Sequence, residues 1–278
     1  MKIIDTYPEI ISLIDKMSGN FDLGLWEEYA ERISRDLAEK CKHDSNAYDF
    51  YKDIMPVLNA AINSHEKLEV AHNSFVKATY GLGEKIEAAV GIELHVDVLF
   101  YIGLCNGAGW ATNLGGKPAV LLGVEKIMEL GWYDFKAMAA LIHHELGHIW
   151  HYAAGDISEE AIETPMMQLY SEGIAMYFEQ LILGDFNYYH QDKDGWQKWC
   201  NGNIDALNTE YLRRLDAGES VQDFYGDWCS YQGHSDIGYF LGCEFVKNLA
   251  KKYTLDELAK LDEEVVYKEF KGYARLSE

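Results

Sequence analysis

No C-x-x-C pair occurs in this 278-residue chain, and its five cysteines (Cys41, Cys105, Cys200, Cys229 and Cys243) are odd in number and widely scattered. That argues against both a disulfide framework and a zinc ribbon. No run approaches eighteen apolar residues, which argues against a membrane-spanning helix and a membrane partner. The segment MKIIDTYPEIISLIDK carries acids within a short apolar pattern and lacks a small-residue cleavage site. The expected location is therefore cytoplasmic. Cations are sparse: 24 Lys and Arg stand against 46 Asp and Glu, a formal charge of −22, with no basic patch or stripe. Such a chain repels phosphate backbones, so nucleic acid is not an expected partner. A Pro/Gly/Ser-rich linker, an internal repeat and low-complexity sequence are also missing, which favours one protein built of closely packed subdomains.

What is present is material for a core. Apolar residues make up 48% of the chain and aromatics 13%, enough for an ordinary globular protein. Residues 1–90 read as a helical N-terminal region. Within it Trp26, Tyr29, Ala30, Ile33, Leu37 and Cys41 recur at helical steps, predicting one amphipathic helix. His65 and His72 are expected to be solvated surface. At Gly91 the period changes: in GIELHVDVLFYIG the alternation from Ile92 to Ile102 predicts a strand. Gly115-Gly116 then predicts a hairpin turn between Trp110–Leu114 and Pro118–Val124, and Pro118 suits an edge strand. A small, mostly antiparallel sheet is expected. Asp134 is placed to cap the next helix and Gly155 to end it, and Thr164-Pro165 announces a second long helix running to Gly184. The expected division is 1–90, then 91–155 with the sheet and the histidine-rich helix, then a helical subdomain over 156–278.

The histidine-rich helix contains IHHELGHIWHY, residues 142–152. Side chains on an α-helix rotate by about 100° per residue, so His144 and His148 lie on one face, one turn apart, and can bind one metal ion. Glu145 follows His144 directly, where it can reach a metal-bound water without being a ligand. Gly147 costs helix stability relative to alanine, which points to close approach of another group. His151 returns to nearly the same face and reads as a neighbour of the site; His143 points away and reads as structural.

A catalytic zinc needs a third protein ligand and one open position. The metzincin pattern would require glycine at position 151 and histidine at 154; His151 and Ala154 exclude it. Glu172, in LYSEGIAMYFE, lies twenty-four residues after His148, enough for a loop and the start of an antiparallel helix. It is the preferred third ligand. Glu179 one heptad later and the preceding Glu159, Glu160 and Glu163 are the alternatives.

HELGH followed by SEGIA on the next helix resembles the gluzincin branch of zinc metallopeptidases, and in particular an uncharacterised bacterial family of predicted zinc-dependent proteases. That family carries a downstream Gly-Tyr-x-x-Gly element, matched here by Gly238, Tyr239 and Gly242. The similarity spans roughly residues 90–250. It implies an α+β, zincin-like fold, with a small sheet packed on the active-site helix and helical regions on either side in sequence. It also implies one Zn2+ held by His144, His148 and Glu172, with Glu145 as general base. The trailing histidine of HELGHIWH resembles the oligopeptidases related to thimet oligopeptidase, but those chains are far longer. In gluzincins an edge strand of the sheet binds substrate backbone; Pro118–Val124 either does so here or pairs internally.

The expected function is a zinc-dependent peptidase in which a zinc-bound water, activated by Glu145, attacks the peptide bond of a peptide or protein substrate. His234 and Tyr239 are the candidates for stabilising the oxyanion; Tyr170 and Tyr177 are weaker ones. The alternative is a catalytically silent zincin-fold protein that binds a peptide or protein partner. A purely structural zinc site is disfavoured because no cysteine lies near HELGH.

Overall fold

The computed structural model describes residues 1–157 and 162–275. Glu159 and Glu160 lie outside the described residues. The chain divides into two units, Met1–Glu145 and Leu146–Glu278, so the division falls inside the histidine-rich helix.

In the first unit, Ser34 interrupts the long helix expected from Trp26 to Cys41. Its backbone is extended (φ −157°, ψ 139°), its N–H still bonds to Ala30 O, and its hydroxyl accepts from Asp36 N–H. One helix therefore ends and another starts. The elements are β1 (Lys2–Asp5), α1 (Tyr7–Met17), α2 (Leu23–Ile33), α3 (Arg35–Ser45), a π-helical turn at Phe50–Ile54, α4 (Met55–Ile62), α5 (His65–Thr79) and α6 (Leu82–Val90). They continue with β2 (Asp97–Tyr101), β3 (Gly109–Leu114), β4 (Lys117–Gly123) and α7 (Val124–Leu130). The stretch expected to be wholly helical thus opens with a strand.

The sheet has the order β1-β2-β4-β3. β1 and β2 pair in parallel, as do β2 and β4, and only β3 and β4 are antiparallel. The expectation of a mostly antiparallel sheet is therefore corrected to a mostly parallel one. The physical reason was legible in part: Val98, Leu99, Phe100 and Tyr101, like Ala119, Val120, Leu121 and Leu122, form uninterrupted apolar runs and are all buried. Strands covered on both faces read that way, whereas half-exposed antiparallel strands alternate. The alternation upstream belongs to no strand; Ile92 is exposed. The hairpin turn stands where expected, with Gly115 and Gly116 both at positive φ (60° and 76°), as a two-residue turn of this kind requires.

β4 is not an edge strand, because β2 flanks it on one side and β3 on the other. Pro118 is tolerated because Ala119 is the residue aligned with Asp97, the first of β2, so Pro118 precedes that ladder and no donor is missed. The edge beside β4 belongs to β3.

The segment leading into β3 is tied down by side chains. Buried Glu125 accepts from the N–H groups of Gly103 (2.9 Å) and Cys105 (3.0 Å), and burial pushes its carboxyl above the usual range. Asn106 donates to Cys41 O, and the Trp26 indole donates to Ile102 O. His72 is not solvated surface: it stacks on Tyr7 at 3.9 Å and bonds to Asp5 at 2.7 Å, joining α5 to the end of β1. His65 is exposed.

α8 (Phe135–Gly155) begins in the first unit and ends in the second. Asp134 caps it as expected, accepting from Lys136 N–H and Ala137 N–H. It ends at Gly155, as expected, but the left-handed residue is the next one. Asp156 takes the left-handed conformation (φ 52°), and Gly155 is needed for space, since a Cβ there would meet Ala259 O at 2.2 Å.

The second unit continues with α9 (Pro165–Leu183), α10 (Trp196–Ala217), a 3-10 turn at Gln222–Phe224, α11 (Ile237–Leu249), α12 (Leu255–Leu258) and α13 (Glu263–Arg275). Thr164 caps α9 through Met167 N–H, Pro165 occupies its first turn, and Gly184 ends it at φ 72°. α9 and α11 cross through two glycines. A Cβ on Gly173 would meet Gly242 O at 2.3 Å, and one on Gly242 would meet Leu169 O at 2.3 Å. Gly173 belongs to SEGIA and Gly242 to the Gly-Tyr-x-x-Gly element, so the two motifs are two sides of one helix contact. Among the described residues no helix is long and apolar enough to cross a membrane.

Candidate metal centre

The helix α8 supplies two imidazoles by its period alone, and α9 supplies a carboxylate. His144, His148 and Glu172 each offer a ligand atom, and these atoms all lie within 4.8 Å of one another. His148 Nε2 lies 3.3 Å from Glu172 Oε2. Two donors each about 2.1 Å from one tetrahedral ion stand about 3.4 Å apart, so this spacing fits a shared metal. The donor set of two neutral nitrogens and one carboxylate oxygen suits a divalent ion of intermediate softness. His144 and His148 are buried and Glu172 is half-buried.

Gly147 explains how α8 and α9 come close enough. A Cβ there would meet Ala175 Cα at 2.9 Å and Phe178 Cβ at 3.1 Å, so α9 packs directly over the glycine, as its cost to the helix suggested. Ser171, which immediately precedes Glu172, lies 3.3 Å from His148 Nδ1 and 3.5 Å from His151 Nδ1.

Glu145 is placed by β3. Its Oε2 accepts from Ala111 N–H at 2.8 Å, and its carboxyl group lies against Gly109, where a Cβ would come within 2.4 Å of Oε1 and 2.7 Å of Cδ. Residue 109 must therefore lack a side chain for Glu145 to lie here. Gly109→Ala should displace the carboxylate. Under the peptidase reading below, kcat falls about 100-fold while zinc stoichiometry stays at wild-type level; parallel turnover and metal measurements check it, and unchanged turnover would detach β3 from the placement of Glu145.

The remaining histidines of α8 are buried. Burial holds His143 and His151 at a pKa of about 3, with Lys85 adding to the effect on His143 and His148 to that on His151. Both are neutral at physiological pH.

Of the other acids considered as ligands, Glu163 is exposed. Glu179 is fully buried and pairs with His190 Nδ1 at 2.9 Å. The group that can hold a metal contains Glu172 and not Glu179. His234 stacks on Trp199 (3.8 Å between ring centroids) and bridges to Tyr231 through its backbone. Asp236 occupies the N-cap position of α11 at φ 58°, but its side chain does not cap the helix and instead accepts from Gly226 N–H. Burial lifts its pKa to about 6, against the lowering effect of that bond. Tyr170 bonds to Leu258 O, and Tyr177 packs on Phe186.

Tyr239 stands edge-on to Tyr225, ring centroids 5.9 Å apart. Burial pushes the Tyr225 phenol well up, and Tyr211, Glu172 and Tyr239 add to the shift, so Tyr225 lies within electrostatic reach of both the α9 carboxylate and Tyr239. Tyr211 OH donates to Pro165 O (2.7 Å), so its 3.0 Å bond with Tyr225 has Tyr225 as donor. Tyr211 and Tyr225 carry no sequence signal of their own, since they come from α10 and an irregular segment. Ser171 did carry one, its place beside Glu172. Comparison with protein-family models, with curated proteins and with solved structures finds no match to this chain, so the reading of the site rests on its own residues.

Proposed function

We propose that the chain is a zinc-dependent peptidase of gluzincin type with a zincin-like fold, acting on a peptide or protein substrate. The carrying observation is the grouping of His144, His148 and Glu172 with Glu145 on the same helix, one residue beyond the first histidine. Bound there, a zinc ion supplies Lewis acidity toward water and toward the scissile carbonyl. His144, His148 and Glu172 would hold it. Glu145, aimed by Ala111 N–H and packed against Gly109, accepts the proton of the attacking water and delivers it to the leaving amine. Tyr239 is the preferred donor to the oxyanion, supported by its edge-on contact with Tyr225, whose phenol feels the Glu172 charge; the stacking of His234 on Trp199 makes it the second choice. β3, the edge strand that touches Glu145, replaces β4 as the strand that would take an extended substrate. All five cysteines are free, which accords with a reducing compartment such as the cytoplasm.

The test is stoichiometric metal analysis combined with cleavage of a degenerate peptide library. One zinc per chain is expected, with cleavage lost on chelation and restored by zinc. Glu172→Ala should lower zinc affinity by more than about 100-fold, since even partners behind the ligands are worth 10- to 100-fold. Zinc without cleavage would favour a silent zincin scaffold that binds a peptide or protein partner; wild-type zinc affinity in Glu172→Ala would remove Glu172 from the ligand set.

A further inference from the structure

Ser171 and Glu172 are consecutive on α9, and together they address both nitrogens of one ring. His148 Nε2 lies 3.3 Å from Glu172 Oε2, and His148 Nδ1 lies 3.3 Å from Ser171 Oγ. On its other side the same hydroxyl lies 3.5 Å from His151 Nδ1. Both contacts are long for hydrogen bonds, and they converge on one oxygen that has a single proton to give.

His151 is otherwise hard to account for. It is fully buried, its ring stands edge-on to Tyr170, and its Nε2 has no hydrogen-bond partner among the described residues. An apolar side chain would fill the same space without burying an unpaired polar atom. Packing alone therefore does not explain a histidine here.

We propose that Ser171 and His151 form a positioning relay for the metal ligand His148: His148 Nδ1–H donates to Ser171 Oγ, and the Ser171 hydroxyl donates to His151 Nδ1. The proposal rests on the metal-centre reading above. A neutral imidazole that presents Nε2 to a metal carries its proton on Nδ1, and that proton needs an acceptor. Ser171 Oγ is that acceptor, so its own proton must point elsewhere. His151 Nδ1 is the ring nitrogen within reach, which places the His151 proton on Nε2, the atom left without a partner. No proton enters or leaves the chain of three groups; only the direction of the hydrogen bonds is set. Ser171 thus fixes the rotation of the His148 ring at Nδ1, the nitrogen turned away from Glu172.

Zinc affinity of the purified 278-residue chain, measured by competition with a chromophoric chelator, tests this for Ser171→Ala, His151→Phe, the double variant and Ser171→Thr. Ser171→Ala should weaken zinc binding about 10- to 100-fold, and His151→Phe at least about 5-fold. The two losses should not add, because His151 acts only through Ser171. His151→Phe removes the unpaired Nε2 but leaves the Ser171 proton without its acceptor, so the melting temperature should stay near that of the wild type while zinc affinity falls, a split that a packing role does not predict. Ser171→Thr keeps the hydroxyl and should bind within about 2-fold of wild type. In the zinc-loaded wild type, nitrogen-15 spectra should show His148 protonated on Nδ1, with faster exchange in Ser171→Ala. Wild-type affinity in either Ser171→Ala or His151→Phe, or additive losses, overturns the relay while leaving the metal centre standing. A wild type that binds no zinc overturns both.

Discussion

Glu145→Gln is expected to lower kcat by roughly 1,000-fold, within the range that a positioned general base contributes, while the chain retains one zinc. The substitution is nearly isosteric, and a glutamine carbonyl oxygen can still accept from Ala111 N–H, which Glu145 Oε2 does now at 2.8 Å. The side chain should stay against Gly109, where there is room for it only because residue 109 has no Cβ. What is lost is the negative charge that, in the proposed mechanism, takes the proton from water. Since Glu145 is not one of the three residues that could together hold a metal ion, metal affinity should not change. Metal content and turnover measured on the same preparation separate the two roles. Turnover within ten-fold of wild type would remove Glu145 from the chemistry, and loss of zinc would make it a ligand.

Gly173→Ala should cost about 3 kcal/mol of stability and weaken zinc binding with it. The added Cβ would meet Gly242 O, C and Cα at 2.3, 2.5 and 2.9 Å. These are backbone atoms, so no side-chain rotation relieves the clash and the two helices must separate, an overpacking cost of 1 to 3 kcal/mol or more. Glu172 precedes Gly173 on the same helix, so any shift of α9 moves the carboxylate relative to His148. Gly202, in α10, provides the contrast, because a Cβ there meets nothing within 4 Å. Gly202→Ala should stabilise by about 0.5 to 1 kcal/mol through helix propensity alone. Thermal unfolding of both variants checks the pair. Equal effects would mean that the α9 and α11 crossing tolerates a methyl group.

The sequence by itself determined the local features. The three- and four-residue spacing in HELGH places two imidazoles on one helix face whatever surrounds the helix. The caps Asp134 and Thr164 and the Gly115-Gly116 turn follow from side-chain and backbone chemistry within a few residues, and all three stand where they were read. Gly147 announced a close neighbour without naming it.

Contacts distant in sequence were decided only by the tertiary structure. β1 joins the sheet beside β2 across more than ninety residues, and nothing in KIID reveals its partner. The parallel pairing of β2 with β4 puts β3, not β4, at the edge, and that choice decides which backbone N–H reaches Glu145. Ser34 splits a periodic apolar stripe that reads as one helix, because periodicity records which residues are buried and not whether the backbone between them is continuous. Glu172 and Glu179 sit one heptad apart on the same helix face, so the period could not choose between them. Packing of α9 against α8 at Gly147 groups Glu172 with His144 and His148, while His190 pairs with Glu179. Helical period is a property of the chain; which carboxylate meets the imidazoles is a property of the helix crossing.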